Sequence, residues 1–416
     1  MKILSIIALV MAANAYALPV KLEKASPEMT FTNDVIFKMG NYVVKKTDKV
    51  GFASIDDYYV VNTQNWFTPP HFLPQFAEIV DFAPGHFAVV RLKEENIEKL
   101  SGYLHHHGWA CGGLIKLRNR PVFLGEVLTP EPIIPVDTRD AQVESLASKV
   151  QASQIEDTVT FLSSMHTRHH GSSTGRQVAG LLADRYRELA GSRDDVSISF
   201  FNHSGTSQNS LVVRIEGQDS PDEVIVVGSH IDSISFWNGQ APGADDNASG
   251  TATNMEIFRV LMENNVRLSR TLEIHGYAAE EIGLVGSDEI AEKYRRDRVN
   301  VIAMLQNDMN LYSSGQNKIY LISNDTHSGF NNGLNSLARN YSGLPVGSAS
   351  LSGGTSDHRS WTSQGYAAAF PFENPSNYNN YIHTANDTIS NSGNFEQSAG
   401  FAKLGLSFVL HYGGRM

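Results

Sequence analysis

The chain has a single cysteine, Cys111, in 416 residues. That excludes an internal disulfide framework and any multi-cysteine zinc or iron–sulfur site, so a bound metal must be held by His, Asp and Glu. No apolar run reaches the roughly 18 residues of a membrane-spanning helix. Basic charge is also short: 33 Lys and Arg stand against 44 Asp and Glu, a net −11. A nucleic-acid partner needs a basic face, so this balance argues against one. The deficit is uneven, because residues 136–416 hold 20 basic and 31 acidic groups while residues 18–135 are nearly balanced. What the chain does have is 41% hydrophobic residues, enough for one or two sizeable cores.

The N-terminus reads as a secretory signal. Lys2 precedes the apolar run Ile3 to Ala13 and the small-residue pattern Ala15-Tyr16-Ala17, the charged, apolar, A-x-A order of a cleavable leader. Removal of residues 1–17 would leave an exported protein with no membrane attachment. Residues 18–135 read as a small α+β unit, with strands at Tyr42–Val44, Tyr58–Val61 and Phe87–Val90 and an amphipathic helix from Leu92 to His105. The segment Leu128-Thr129-Pro130-Glu131-Pro132-Ile133-Ile134-Pro135 carries three prolines, which disfavour helix and suit an extended linker. A linker in an exported chain is a natural processing site, so 18–135 is expected to be a removable propeptide.

From residue 136 onward strands and helices alternate. The fold class is α/β: a three-layer αβα sandwich around a mixed, mainly parallel sheet. Helices are expected at 141–164, 175–189, 249–264, 282–294 and 397–410, and strands at 211–215, 223–228, 271–277, 301–305, 318–322 and 367–370.

Acids and histidines fall just past these strand ends, where open α/β sheets build their sites. Gly228-Ser229-His230-Ile231-Asp232 closes one strand. In an extended segment His230 and Asp232 share a side, so the imidazole is able to bind a metal while the carboxylate takes its other N–H. Gly243-Ala244-Asp245-Asp246-Asn247 opens a helix with more capping residues than one cap needs. Glu280 and Glu281 follow an apolar strand, and adjacent carboxylates repel unless a cation is near; one is suited to ligate, the other to face water. Asp308 ends the next strand, and His383 lies in a loop with Asp387 as a candidate acceptor for its second nitrogen. Each alone is equally a cap, a turn residue or a satisfied histidine. Together they supply two His, one Glu and two Asp, a set that suits a pair of zinc ions about 3.5–4 Å apart.

In this order the motifs resemble those of secreted bacterial leucyl aminopeptidases of the co-catalytic dizinc exopeptidase family, over roughly residues 140–412. The resemblance implies that Asp246 bridges the metals, that His230 and Asp308 hold one zinc, and that Glu281 and His383 hold the other. It makes Glu280 the general base and Asp232 the group that orients His230. It implies substrates with a free N-terminus, a propeptide that inhibits until removed, and a monomeric enzyme. The chain departs from many relatives in one place: Leu351-Ser352-Gly353-Gly354-Thr355 lacks their paired cysteines and the tyrosine between them. Met309, Phe370, Phe372 and Ile382, close to the ligands, are expected to form the side-chain pocket and to favour large apolar N-terminal residues such as Leu.

Other motifs carry less. Ser356-Asp357-His358 is contiguous and cannot take up serine-triad geometry, so its role is structural. Gly171-Ser172-Ser173-Thr174-Gly175 fits G-x-S-x-G but lacks the preceding strand a nucleophile elbow needs. His105-His106-His107 lies in the propeptide, and His166 to His170 reads as a solvated or structural turn. H-E-x-x-H is absent. A glutaminyl cyclase on the same fold, a carboxypeptidase of the same family and a metal-free binding module are the rival readings; the complete ligand set disfavours the first and last.

Overall fold

The computed structural model describes residues 20–25, 34–47, 57–63, 66–106, 113–119, 121–122, 139–235, 239–351 and 354–414. The leader, the proline-rich linker, Cys111, His107 and Ser352-Gly353 lie outside them. Two compact units emerge: residues 1–94 with 116–124, and residues 95–115 with 125–416. Among the described residues, no helix is long and apolar enough to cross a membrane.

The first unit is built on strands β1 (Val20–Lys24), β2 (Val35–Met39), β3 (Tyr42–Lys46), β4 (Tyr58–Asn62), β5 (Ala77–Ala83) and β6 (Phe87–Leu92); the short β7 (Leu114–Lys116) straddles the division between the units. One sheet has the order β1-β3-β2 and the other runs β5-β6-β4. β4 is buried along its whole length, as its unbroken Tyr-Tyr-Val-Val run requires. From Glu95 onward the helix Glu94–His106 belongs to the second unit.

The second unit has a six-stranded sheet of β8 (Val196–Phe201), β9 (Ser210–Ile215), β10 (Ser220–His230), β11 (Arg270–Tyr277), β12 (Asn300–Gln306) and β15 (Ala368–Ala369). Their order is β15-β12-β10-β11-β9-β8. β15, β12, β10 and β11 run parallel; β9 runs antiparallel to β11, and β8 antiparallel to β9, so β9 is the one reversed strand among the six. The sheet is therefore mixed and mainly parallel. A small sheet joins β13 (Ile319–Ile322), β14 (Val346–Ala349) and β16 (Pro371–Phe372).

Alternation in β10 shows why both faces are covered. Ile225 and Val227 enter one core with Val178, Leu182, Phe258 and Phe408; Val224 and Val226 enter the opposite core with Ile290, Trp361 and Tyr366. Side chains of successive strand residues point to opposite faces, so an apolar run of this kind needs helices above and below.

Local chemistry sets several boundaries away from those expected. The helix expected over 141–164 is two, Ala141–Ala147 and Ala152–Ser163. Asp140 caps the first by accepting from Gln142 and Val143, and Gln151 is extended, its N–H held by Glu256 at 2.6 Å. The helix expected at 282 starts at Val285, after Leu284 in the left-handed region. Of the strand expected at 367–370 only Ala368–Ala369 forms, as β15, and Pro371–Phe372 just beyond it pairs in a different sheet as β16.

A buried polar network braces β11. Glu273 accepts from Tyr294 Oη at 2.6 Å and Arg214 Nη1 at 2.8 Å, with His275 Nε2 3.0 Å away. Burial alone would raise this carboxyl, but His275, Tyr294 and Arg214 outweigh it and bring it to about 2. A depressed carboxyl stabilises the fold above its unfolded pKa, and the gain is lost as pH falls toward the folded one. Ionising near 2 rather than 4.5 corresponds to roughly 3 kcal/mol at neutral pH. Glu273→Gln should lose about that much in denaturant unfolding at pH 7 and differ little from wild type near pH 2.

Candidate metal centre

β12, β10 and β11 are parallel neighbours, so their carboxyl ends open on one side. β10 ends on His230, β11 leads into Glu280 and Glu281, and β12 leads into Asp308. Asp246 comes from the tight segment Ala244–Ser249 that enters the helix Gly250–Glu263. A Cβ on Gly250 would lie 2.1 Å from the Asn307 carbonyl oxygen; glycine lets that helix begin against the exit of β12. His383 arrives from the loop after β16. These six residues and Asp232 are all buried.

Their arrangement centres on Asp246. Its Oδ1 lies 3.1 Å from His230 Nε2 and its Oδ2 lies 3.0 Å from His383 Nε2. Asp308 Oδ1 is 3.4 Å from the same nitrogen of His230, and Glu281 Oε2 is 2.9 Å from that of His383. One carboxylate thus faces two imidazoles, and each imidazole has a second carboxylate beside it. Ligand atoms of His230, Asp246 and Glu281 all fall within 4.8 Å of one another. The donors are imidazole and carboxylate only, a set that fits zinc.

Surrounding groups fix these side chains. Asp232 Oδ1 lies 3.3 Å from His230 Nδ1, and its two oxygens accept the N–H groups of Glu280 and Glu281 at 3.1 and 3.2 Å. It ties two strand ends together. Ser356 Oγ donates to Asp308 Oδ2 at 2.6 Å, Asp357 accepts from Gln306 at 2.8 Å, and His358 stacks on Phe370. The three contiguous residues therefore point to three different partners. Asp387 sits behind the Asp246 loop, accepting the N–H groups of Asp245 and Asp246 at 3.1 and 3.0 Å. Asn379 donates to both Asp245 and Asp387.

Electrostatics follow from burying these charges together. Burial would lower the His230 imidazole, yet Asp308 and Glu280 outweigh it and raise it. His383 is likewise raised, to about 10, because Glu281 and Asp246 overcome its burial. Burial would raise Asp246, but His230 and His383 hold it below the usual carboxylate range. Glu280 is pushed well up, chiefly by burial. Neither of its oxygens has a hydrogen-bond partner among the described residues. Such a carboxyl suits proton transfer.

Backbone strain clusters here too. Ala279, Met309 and His383 have φ of 52°, 52° and 56°, left-handed conformations that non-glycine residues adopt at a cost of about 1–3 kcal/mol each. Each adjoins or belongs to the cluster.

Met309, Phe370, Phe372 and Ile382 share one apolar cluster with Ile322 and Leu351, with Tyr378 against it. Ile322 lies far from the motifs in sequence, and Leu351, though it opens the segment before Ser356, is joined to this cluster only by the fold. Arg168 was also hidden, among histidines that read as a turn; it is fully buried.

The protein-family model for peptidase family M28 matches residues 210–402. Leucine aminopeptidase 1 of Paracoccidioides brasiliensis is 33% identical over 288 residues, covering 65% of this chain and 73% of the relative. The LapA aminopeptidase of Legionella pneumophila superposes with a TM-score of 0.73 at 26% identity, covering 86% of this chain and 98% of that one. A zinc aminopeptidase from Bacillus subtilis shares the fold, with a TM-score of 0.53 at 15% identity over 63% of this chain and 95% of that one. The order of the motifs, the mixed sheet and these likenesses agree: the chain belongs to peptidase family M28.

Proposed function

We propose that the chain is an exported, monomeric metallo-aminopeptidase that hydrolyses the N-terminal peptide bond of peptides and proteins and prefers large apolar residues such as Leu. The observation that carries this reading is the Asp246 carboxylate, with one oxygen toward His230 and the other toward His383. That geometry suits a ligand shared by two ions. His230 and Asp308 would hold one zinc, Glu281 and His383 the other. When bound, zinc would polarise the scissile carbonyl and make the attacking water more acidic.

The chain's own groups do the rest. Glu280, buried and with both oxygens available, takes the proton of the water and delivers it to the leaving amine. Asp232 keeps His230 in the tautomer whose Nε2 faces Asp246 and Asp308. The cluster of Met309, Phe370, Phe372 and Ile382 offers an apolar wall to the first side chain, while carboxylates near Asp308 favour the cationic α-amine. Residues 1–17 act as the leader, and 18–135 as the inhibitory propeptide.

Steady-state rates on Leu-, Phe-, Lys- and Glu-anilides, with N-acetyl-Leu-anilide beside them, test this. Leu and Phe should give the highest kcat/KM and the acetylated substrate none. Best cleavage of a charged residue would contradict the pocket, and cleavage of the blocked substrate would contradict the exopeptidase reading.

A further inference from the structure

Resting on the metal-centre reading above, we infer that Arg168 is a positioning residue, a buried clip that sets the spacing between the loops carrying the metal ligands. Its guanidinium is fully buried, and its hydrogen bonds go to four backbone carbonyls. Nε donates to Ile231 at 3.1 Å, Nη1 to Leu162 at 3.3 Å and to Pro242, and Nη2 to Gly243 at 2.9 Å. Ile231 lies between His230 and Asp232; Pro242 and Gly243 open the loop that bears Asp246. One planar group thus joins the two segments across which His230 and Asp246 meet.

The backbone of Arg168 extends the clip. Its N–H donates to Ser233 Oγ at 3.1 Å, and that hydroxyl donates to the Ala241 carbonyl at 2.8 Å. Its carbonyl accepts from Gln208 Nε2 at 3.3 Å, while Gln208 Oε1 accepts the Ala279 N–H at 3.0 Å. The third ligand loop, the one with Glu280 and Glu281, is therefore tied to the same node.

A buried cation without a carboxylate in contact is costly unless dipoles and nearby charge compensate it. Here the Leu162 carbonyl belongs to the last turn of the helix Ala152–Ser163, the negative end of its dipole. Burial lowers the guanidinium to about 10 against the pull of Asp387, Asp232, Asp246 and Glu281, so it stays charged at neutral pH. The surroundings are shaped to it as well: a Cβ on Gly243, whose φ is +52°, would lie 2.8 Å from Arg168 Nη2 and 2.4 Å from the Asp246 carbonyl. Lysine has three donors on one atom and no planar fork, so it is unable to reach carbonyls spread over both loops.

The test is Arg168→Lys in the full chain, with zinc affinity read by competition against a chromophoric chelator, and kcat and KM read on Leu-anilide. Partners behind metal ligands are typically worth about 10–100-fold in metal affinity or activity. Arg168→Lys should keep the wild-type circular dichroism spectrum, bind its weaker zinc about 10–100-fold less tightly, and lose kcat with little change in KM. A folded Arg168→Lys with wild-type zinc affinity and kcat would overturn the inference alone. If no folded Arg168 variant is obtained, Ser233→Ala, which cuts the link to Ala241, is measured the same way: weakened zinc supports the clip and unchanged zinc overturns it. A wild-type protein that binds no zinc would overturn the inference together with the functional reading.

Discussion

Glu280→Gln should fold as wild type does, retain its zinc and lose turnover by about 10²–10⁴-fold, the usual worth of a general base. The reason is positional. Glu280 lies beside the ligands, is 2% exposed, and has neither oxygen engaged among the described residues. Its backbone N–H is held by Asp232, an anchor the substitution leaves in place. The amide keeps size and shape but accepts no proton at the working pH. Metal content and kcat on Leu-anilide, measured on the same preparation, check it; full activity with zinc bound would mean that another group is the base.

Asp246→Asn should act on binding rather than on chemistry. Wild-type Asp246 puts one oxygen near each imidazole, whereas an amide offers one good ligand atom and no negative charge. Zinc affinity should fall by roughly a hundredfold or more, at or beyond the upper end of what outer-shell changes cost, and activity should fall with it. The substitution keeps the N–H that Asp387 accepts, so the loop retains its anchor. Zinc titration of the chelator-stripped variant measures this, and two ions bound with wild-type affinity would refute the bridging role. The contrast between the variants matters: one loses turnover with metal in place, the other loses metal.

His230, Glu280, Glu281 and Asp308 could be read from the sequence as candidate ligands because they sit at or just past strand ends, where an apolar run followed by an acid or histidine leaves a visible pattern. Apart from Asp232, the groups that brace these residues leave none. Arg168 lies in Met165-His166-Thr167-Arg168-His169-His170, with no periodicity, and its partners at 162, 231, 242 and 243 meet it only once the chain folds. Asp245 and Asp246 look alike in the sequence, yet Asp245 turns away to accept the Leu311 N–H while Asp246 faces the imidazoles. Asp387, which the motif suggests as backing for His383, holds the Asp246 loop by its backbone.

Secondary structure shows the same division. β10 and β11 were evident as buried apolar runs. The helix Ser328–Leu337 was not, because Ser-Gly-Phe-Asn-Asn-Gly-Leu-Asn-Ser-Leu is rich in poor helix formers. Burial of Phe330, Leu334 and Leu337 and the His327 cap sustain it. β8 is a half-exposed edge strand and lacks the continuous apolar run that marks β10. For β15 and β16, four apolar residues do not reveal which of two sheets each pair joins.

The most direct test of the central claim is zinc content with Leu-anilide hydrolysis, measured on the purified chain before and after proteolytic trimming near Pro130–Pro135 and again after chelation. The account predicts two zinc ions per chain, activity that rises on trimming, disappears with chelator and returns with added zinc. Anilide hydrolysis that survives complete removal of metal would contradict it.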